Sequence, residues 1–146
     1  MKLKQISIFL ENSPGRLYQA TKALGDAGIN LRALTLAEAS DFGVLRLLVS
    51  DVIKARRIMM EKQFPARVDD VVAVEIDDRS GSLAQILLPL NEANVSVKYM
   101  YAFTGFNSSR AVMIFRFNDN DQAIGILQGL GVKLLDSHTF GMLENA

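Results

Sequence analysis

Apolar and polar residues alternate along KQISIFLE, so that Ile6, Ile8 and Leu10 share one side of an extended segment. From Arg16 the interval changes. Leu17, Ala20, Leu24 and Ala27 recur at three and four residues, the period of a helix face, and Gly28 is placed to end it. INLRALTLAE and FGVLRLLVS return to the extended pattern and read as a hairpin. Ser50 or Asp51 then caps a second helix with an inner face of Val52, Ala55, Ile58 and Met59. PARVDDVV is extended again.

The same series follows a second time, as DVVAVEI, SLAQILLPLNEA, VSVKYMYAF, RAVMIFRF, DQAIGILQGL and VKLLDSHTF. With Gly81 laid on Gly15, Val72, Val74 and Ile76 meet Ile6, Ile8 and Leu10, and Leu90 meets Leu24. Further on, Val112, Phe115, Phe117 and Asp119 meet Val44, Leu47, Val49 and Asp51. The change of offset falls between ASDFG and TGFNSS, a loop, where two copies of one fold tolerate extra length. The pattern predicts an α+β chain of two ferredoxin-like βαββαβ units in tandem, residues 1–69 and 70–146. Almost no linker separates them, since PARVDDVVAVEI reads as one strand running into the next. Pro89 lies inside the first helix of the second copy, where it removes a hydrogen bond to the Gln85 carbonyl, so a kink or local widening is expected.

Composition narrows the chemistry. Apolar residues make up 49% of the chain, enough for a packed core. Sixteen basic residues balance sixteen acidic ones, which argues against a nucleic-acid surface. There is no cysteine, which removes disulfides, thiolate metal sites and a cysteine nucleophile, and suits a cytoplasmic protein. His138 is the single histidine and has no partner for a metal, so neither metal nor cofactor is expected. The apolar run near the N-terminus is too short for a signal peptide, and no stretch is long enough to span a membrane.

The two strand-to-helix turns, ENSPGRL and DDRSGSL, carry the candidate chemistry. A helix N-terminus offers unpaired N–H groups and partial positive charge, which suits a small carboxylate or phosphate. Gly15 and Gly81 let the backbone take φ > 0 or come close to a ligand. Asn12 and Asp78 precede these glycines at the same spacing and can hold the other end of a zwitterion. Asn30 and Ser96 correspond at the start of the second strand of each copy, and are expected near the same rim. The simpler reading is an ordinary turn, with Pro near the first helical position and a polar cap. Arg16 opposes the helix dipole, and either meets an anion or is solvated.

F-L-E-N-S-P-G-R-L followed by A-G-I-N-L, on this repeated frame, resembles the ACT domain. The resemblance covers nearly the whole chain as two copies. It implies a small regulatory module that binds a free amino acid and acts on a partner enzyme or regulator. The Asn-x-Pro-Gly turn with Gly-x-Asn is similar to serine-binding members, which implies a site at Asn12, Ser13, Gly15, Arg16, Leu17 and Asn30. Leu10 stands where some of those members have His. The second copy implies a related site at Asp78, Gly81, Ser82, Leu83 and Ser96, with Asp in place of the turn Asn, Arg79-Ser80 in place of Ser13-Pro14 and Ser in place of Asn30. ACT domains often pair their sheets side by side through the second strands, with pockets at the interface. By that resemblance the two copies pair within one chain, and Tyr99 is a candidate pocket wall.

Tyr99, Tyr101 and Phe103 share one face of an edge strand, and packing in the sheet or a dimer contact is the simpler explanation of them. The chain is a monomer with an internal pair or a homodimer. Three other functions compete. An enzyme lacks the nucleophiles and clusters it needs. RNA binding wants exposed aromatics on central strands, where Phe9 stands nearly alone. A ligand-free oligomerisation or protein-interaction module needs no pocket at all.

Overall fold

The computed structural model describes residues 1–104 and 109–143; most of the loop TGFNSS, on which the extra length of the second copy was placed, lies outside them. The elements run β1 (Leu3–Glu11), α1 (Arg16–Asp26), β2 (Leu31–Glu38), β3 (Phe42–Val49), α2 (Val52–Glu61) and β4 (Ala66–Asp77). They continue as α3 (Ser82–Glu92), β5 (Val97–Thr104), β6 (Arg110–Phe117), α4 (Asn120–Gly129) and β7 (Lys133–Leu135). The chain is α+β and repeats one ferredoxin-like unit, as the periodicity predicts. The fourth strand of the first copy and the first strand of the second are one strand, β4. Contacts divide the chain into two compact units. One holds Lys4–Asp69 and the segment from Ser137 onward; the other holds Asp70–Asp136 and Met1–Leu3.

In the unit of Lys4–Asp69 the strand order is β2-β3-β1, followed by the beginning of β4. β1 and β2 both pair antiparallel with β3. One face carries the helices. Ile6, Ile8 and Leu10 of β1 and Leu45, Leu47 and Val49 of β3 pack there with Ala20 and Leu24 of α1 and Val52, Ala55 and Met59 of α2. Asp51, not Ser50, caps α2, its carboxylate accepting from the Lys54 N–H at 3.1 Å. Gly28, at φ +77°, closes α1: the Ile29 N–H reaches the Leu24 carbonyl at 3.0 Å. In the other copy Asn94, at φ +59°, stands in for Gly28, and the Val95 N–H reaches the Leu90 carbonyl at 2.9 Å.

The unit of Asp70–Asp136 has the order β5-β6-β4-β7. Val72, Val74 and Ile76 pack with Phe115, Phe117, Ile86, Leu90 and Leu127 on its helix face. Asp119 caps α4 as Asp51 caps α2, accepting from the Gln122 N–H at 3.0 Å. α3 runs on as helix through Pro89 to Glu92. The Gln85 carbonyl that loses its partner belongs to an exposed residue, where water can replace it.

Two features depart from the sequence pattern. β2 and β5 each carry a register shift, between Leu31 and Ala33 and between Val97 and Tyr99. This bulge puts Leu31 and Leu34, and likewise Val97 and Met100, toward the helix side despite odd spacing. Second, VKLLDSHTF is strand only over Lys133–Leu135. From Ser137 the chain coils into turns, with the Phe140 and Met142 N–H groups both bonding the Ser137 carbonyl. Phe140 is buried, and its carbonyl accepts from Arg32 Nε at 2.5 Å. The Leu143 N–H donates to the Ser50 carbonyl at 2.8 Å.

Candidate functional site

The first turn begins where β1 ends. The Ser13 N–H folds back to the Glu11 carbonyl at 2.8 Å, and the Gln19 N–H reaches the Gly15 carbonyl at 2.9 Å to open α1. Gly15 is the N-cap, left-handed at φ +90°, and no side chain caps the helix. The turn is therefore not the ordinary form with a polar cap and Pro at the first helical position: Pro14 precedes the cap. A Cβ on Gly15 would meet nothing within 4 Å, so glycine is needed there for its φ, above an open space. No side chain caps this N-terminus, and the Arg16 N–H reaches only the Ser13 carbonyl at 3.4 Å, which leaves the partial positive charge of the helix start for an anion.

A depression of about 550 Å³ adjoins the turn. Asn12, Ser13, Arg16 and Leu17 line one side, and Leu36 and Glu38 of β2 line the other. The register explains the meeting: Glu11 pairs with Phe42 and Glu38 with Gly43, so the β2–β3 hairpin and the turn share one end of the sheet. Asn12 is exposed. Arg16 lines the depression and is also held from the side. Its guanidinium lies 4.2 Å from the centre of the Phe64 ring, and Nη1 donates to Gln19 Oε1 at 2.7 Å. Its Nε is buried without a hydrogen-bond partner. The charge thus stays beside the helix start, held by an aromatic face.

The second turn repeats the main hydrogen bonds of the first and adds one from the Asp78 N–H to the Ser109 carbonyl at 2.9 Å. The Arg79 N–H reaches the Asp77 carbonyl at 3.1 Å, and the Gln85 N–H reaches the Gly81 carbonyl at 3.0 Å. Gly81 is an uncapped N-cap at φ +86° over open space. Asp78, Gly81, Ser82 and Leu83 line a depression of about 390 Å³, with Leu87 and Met113 adding apolar wall. Asp77 is engaged by Arg110 and by Arg79 Nε at 3.7 Å. Asp78 has no ion-pair partner among the described residues. Ser82, at the place of Arg16, is buried, and its hydroxyl has no hydrogen-bond partner among the described residues.

Three predicted site residues do not join these turns within their units. Asn30 precedes β2, whose first residue pairs with Val49, at the end of the sheet opposite the turn. The rise of an eight-residue strand puts that end roughly 25 Å away. There the Asn30 N–H donates to Ser50 Oγ at 2.9 Å, and the Ser50 N–H returns to the Asn30 carbonyl at 2.9 Å. Ser96 is held in the same way by Asn118, at 2.9 and 3.0 Å. The expectation that Asn30 and Ser96 share the rim of the turns is corrected by this register. Tyr99 pairs with Arg116, and it is not among the residues around the second depression. Leu36, Glu38, Leu87 and Met113 are among the lining residues that sequence reasoning missed; for Leu87 the helical interval from Leu83 was the available signal.

Two ferredoxin-like units, each opening its first helix at an uncapped glycine turn, define a tandem α+β module. The family model of the ACT domain pair matches residues 1–137, and the chain belongs to that family. A crystallised protein of Bacteroides thetaiotaomicron is 38% identical, with a TM-score of 0.90 and 98% of each chain covered. The regulatory subunits of aspartate kinase from Thermus thermophilus and Thermus flavus share the fold at 12% and 14% identity, with TM-scores of 0.62 and 0.63. In both cases 88% of this chain and 90% of the other are covered. No curated protein matches the chain. Among the described residues no helix is long and apolar enough to cross a membrane.

Proposed function

We propose that the chain is a regulatory sensor rather than a catalyst, binding a free amino acid at its glycine turns and transmitting occupancy to a partner enzyme or regulator. The observation that carries this reading is the repeated turn: two left-handed glycine N-caps with no side-chain cap, each beside a short polar residue, Asn12 or Asp78. The ligand carboxylate lies on the N–H groups of α1, within reach of the positive charge of Arg16. The Asn12 carbonyl oxygen accepts from the ammonium group. Leu17 and Leu36 receive the side chain. In the second copy Asp78 faces the ammonium group, and Ser82 Oγ gains the partner it lacks. The likeness of the fold to aspartate kinase regulatory subunits supports a partner enzyme.

A melting panel with each of the twenty amino acids at millimolar concentration tests this on the wild type, Asn12→Ala and Asp78→Ala. A ligand at one hundred times its Kd stabilises by about 2.7 kcal/mol, a rise of several degrees. The expected result is a selective rise that one or both substitutions remove. A panel in which no amino acid moves the melt would overturn the proposal and leave a ligand-free interaction module.

A further inference from the structure

A depression of about 540 Å³ lies between α1 and α2. Ala23 and Ala27 of α1 and Ile58 of α2, half-buried on the core, give it an apolar floor. Three cations stand around it, Arg16, Lys22 and Lys62, with Asp26 as the one carboxylate. Asp26 is taken by Lys22 at 3.0 Å, which leaves two cations over. The Lys62 ammonium has no hydrogen bond or ion pair among the described residues. Arg16 meets no carboxylate among them either: Nη1 donates to the neutral Gln19, and Nε is buried without a hydrogen-bond partner. One turn sets both. Gln63, at φ +64°, folds Phe64 back so that its N–H bonds the Met59 carbonyl at 2.8 Å. Lys62 stands just before that turn, and Arg16 rests on the ring of Phe64 just after it.

The repeat provides an internal control. Ser82, Leu88 and Leu130 take the places of Arg16, Lys22 and Lys62, and Val132 takes that of Phe64. All three cations are gone, while an acid is kept as Glu92 at the place of Asp26. Leu88 is 58% and Leu130 52% exposed, so these places look outward in both copies. The helix pair therefore folds without cations here. A charge at the end of α2 is not required to complement the helix dipole, since α4 ends at Leu130 without one.

We infer that this groove binds a phosphomonoester with a small apolar or aromatic body. The phosphate carries close to two negative charges at neutral pH, which answers the two cations left over. A guanidinium and an ammonium both give it charge-assisted hydrogen bonds. The body lies on Ala23, Ala27 and Ile58. The volume falls in the range of small-ligand pockets. Arg16 also lines the depression at the first glycine turn, and it is the one residue the two places share.

The test follows backbone amide shifts of the labelled full-length protein near neutral pH, during titration with phenyl phosphate, inorganic phosphate and phenol. Phenyl phosphate is expected to move the amides of residues 22–27 and 58–64 saturably at millimolar concentration. Inorganic phosphate binds at least about tenfold more weakly for want of apolar contact. Phenol does so for want of charge-assisted bonds. Lys62→Met weakens phenyl phosphate by about tenfold on the same basis. Asn12→Ala leaves its Kd unchanged, which separates the groove from the turn. Both substitutions are at exposed positions, and unchanged amide spectra elsewhere verify the fold. An unchanged Kd in Lys62→Met, or phenol or inorganic phosphate binding as tightly as phenyl phosphate, overturns the proposal. If Asn12→Ala abolishes binding and Lys62→Met does not weaken it, the phosphate sits on the first turn and the groove is not a site. Silence of phenyl phosphate overturns the proposal as well; if an acidic peptide then moves the same amides, the groove is a protein-docking face.

Discussion

The first and second glycine turns share a backbone and differ in almost every side chain. Gly15 and Gly81 have φ of +90° and +86°, and each carbonyl accepts the first helical hydrogen bond within 0.1 Å of the same length, 2.9 and 3.0 Å. Above that common frame, Asn12 in one copy corresponds to Asp78 in the other, and Arg16 to Ser82. The first turn carries a cation laid on Phe64; the second carries a carboxylate and a buried hydroxyl. What has been kept is therefore a way of opening a helix without capping it, while the side chains around it differ.

The largest effects expected are symmetrical ones. Leu24 and Leu90 occupy matching places in the two cores, both almost fully buried. Leu24→Ala and Leu90→Ala should each destabilise by about 3 kcal/mol, read from urea unfolding. A loss in one far below the other would break the equivalence of the units. Next come the glycines. Gly15→Ala and Gly81→Ala should each cost about 1–2 kcal/mol for a side chain at φ near +90°. Because nothing lies within 4 Å of either added Cβ, this cost is backbone strain alone and should be the same in both.

Smaller effects should separate the copies. Arg16→Ala removes a cation from the Phe64 face and is expected to cost about 0.5–1 kcal/mol. Ser82→Ala removes a buried hydroxyl that has no partner, and is expected to be neutral or stabilising by up to about 1 kcal/mol. Opposite signs in thermal melts would sharpen the contrast between the turns; equal losses would erase it. The smallest effect is at Lys2, whose ammonium is raised above 10.5 by its hydrogen bond and ion pair with Asp121. A raised cation contributes fully below pH 10.5 and loses its contribution as pH climbs through the higher folded value. Alkaline melts of Lys2→Met should lack that decline.

The alternation at Ile6, Ile8 and Leu10 and its return at Val72, Val74 and Ile76 were enough to read the tandem fold, because burial on one sheet face imposes a period of two. Asp51 was legible as a cap for a similar local reason. The bulges at Leu31 and Val97 were not, since a register shift is set by how two strands meet and leaves no mark on composition. Asn30 was placed at the wrong end for a related cause. Residue pattern tells which face of a strand a side chain takes, whereas the end of the sheet depends on following the antiparallel path through α1. The alternating LLDSHTF looked extended, yet Gly141, at φ +64° against the Arg32 guanidinium, belongs to a turn.

One feature of the division into units bears on how the protein comes into being. The unit of Lys4–Asp69 is synthesised first, but it includes the segment from Ser137, whose Phe140 carbonyl takes the Arg32 hydrogen bond. That contact closes across most of the chain, so its entropic cost falls late in folding. During translation Arg32 and the Ser50 carbonyl can meet these partners only once Phe140 and Leu143 have been made.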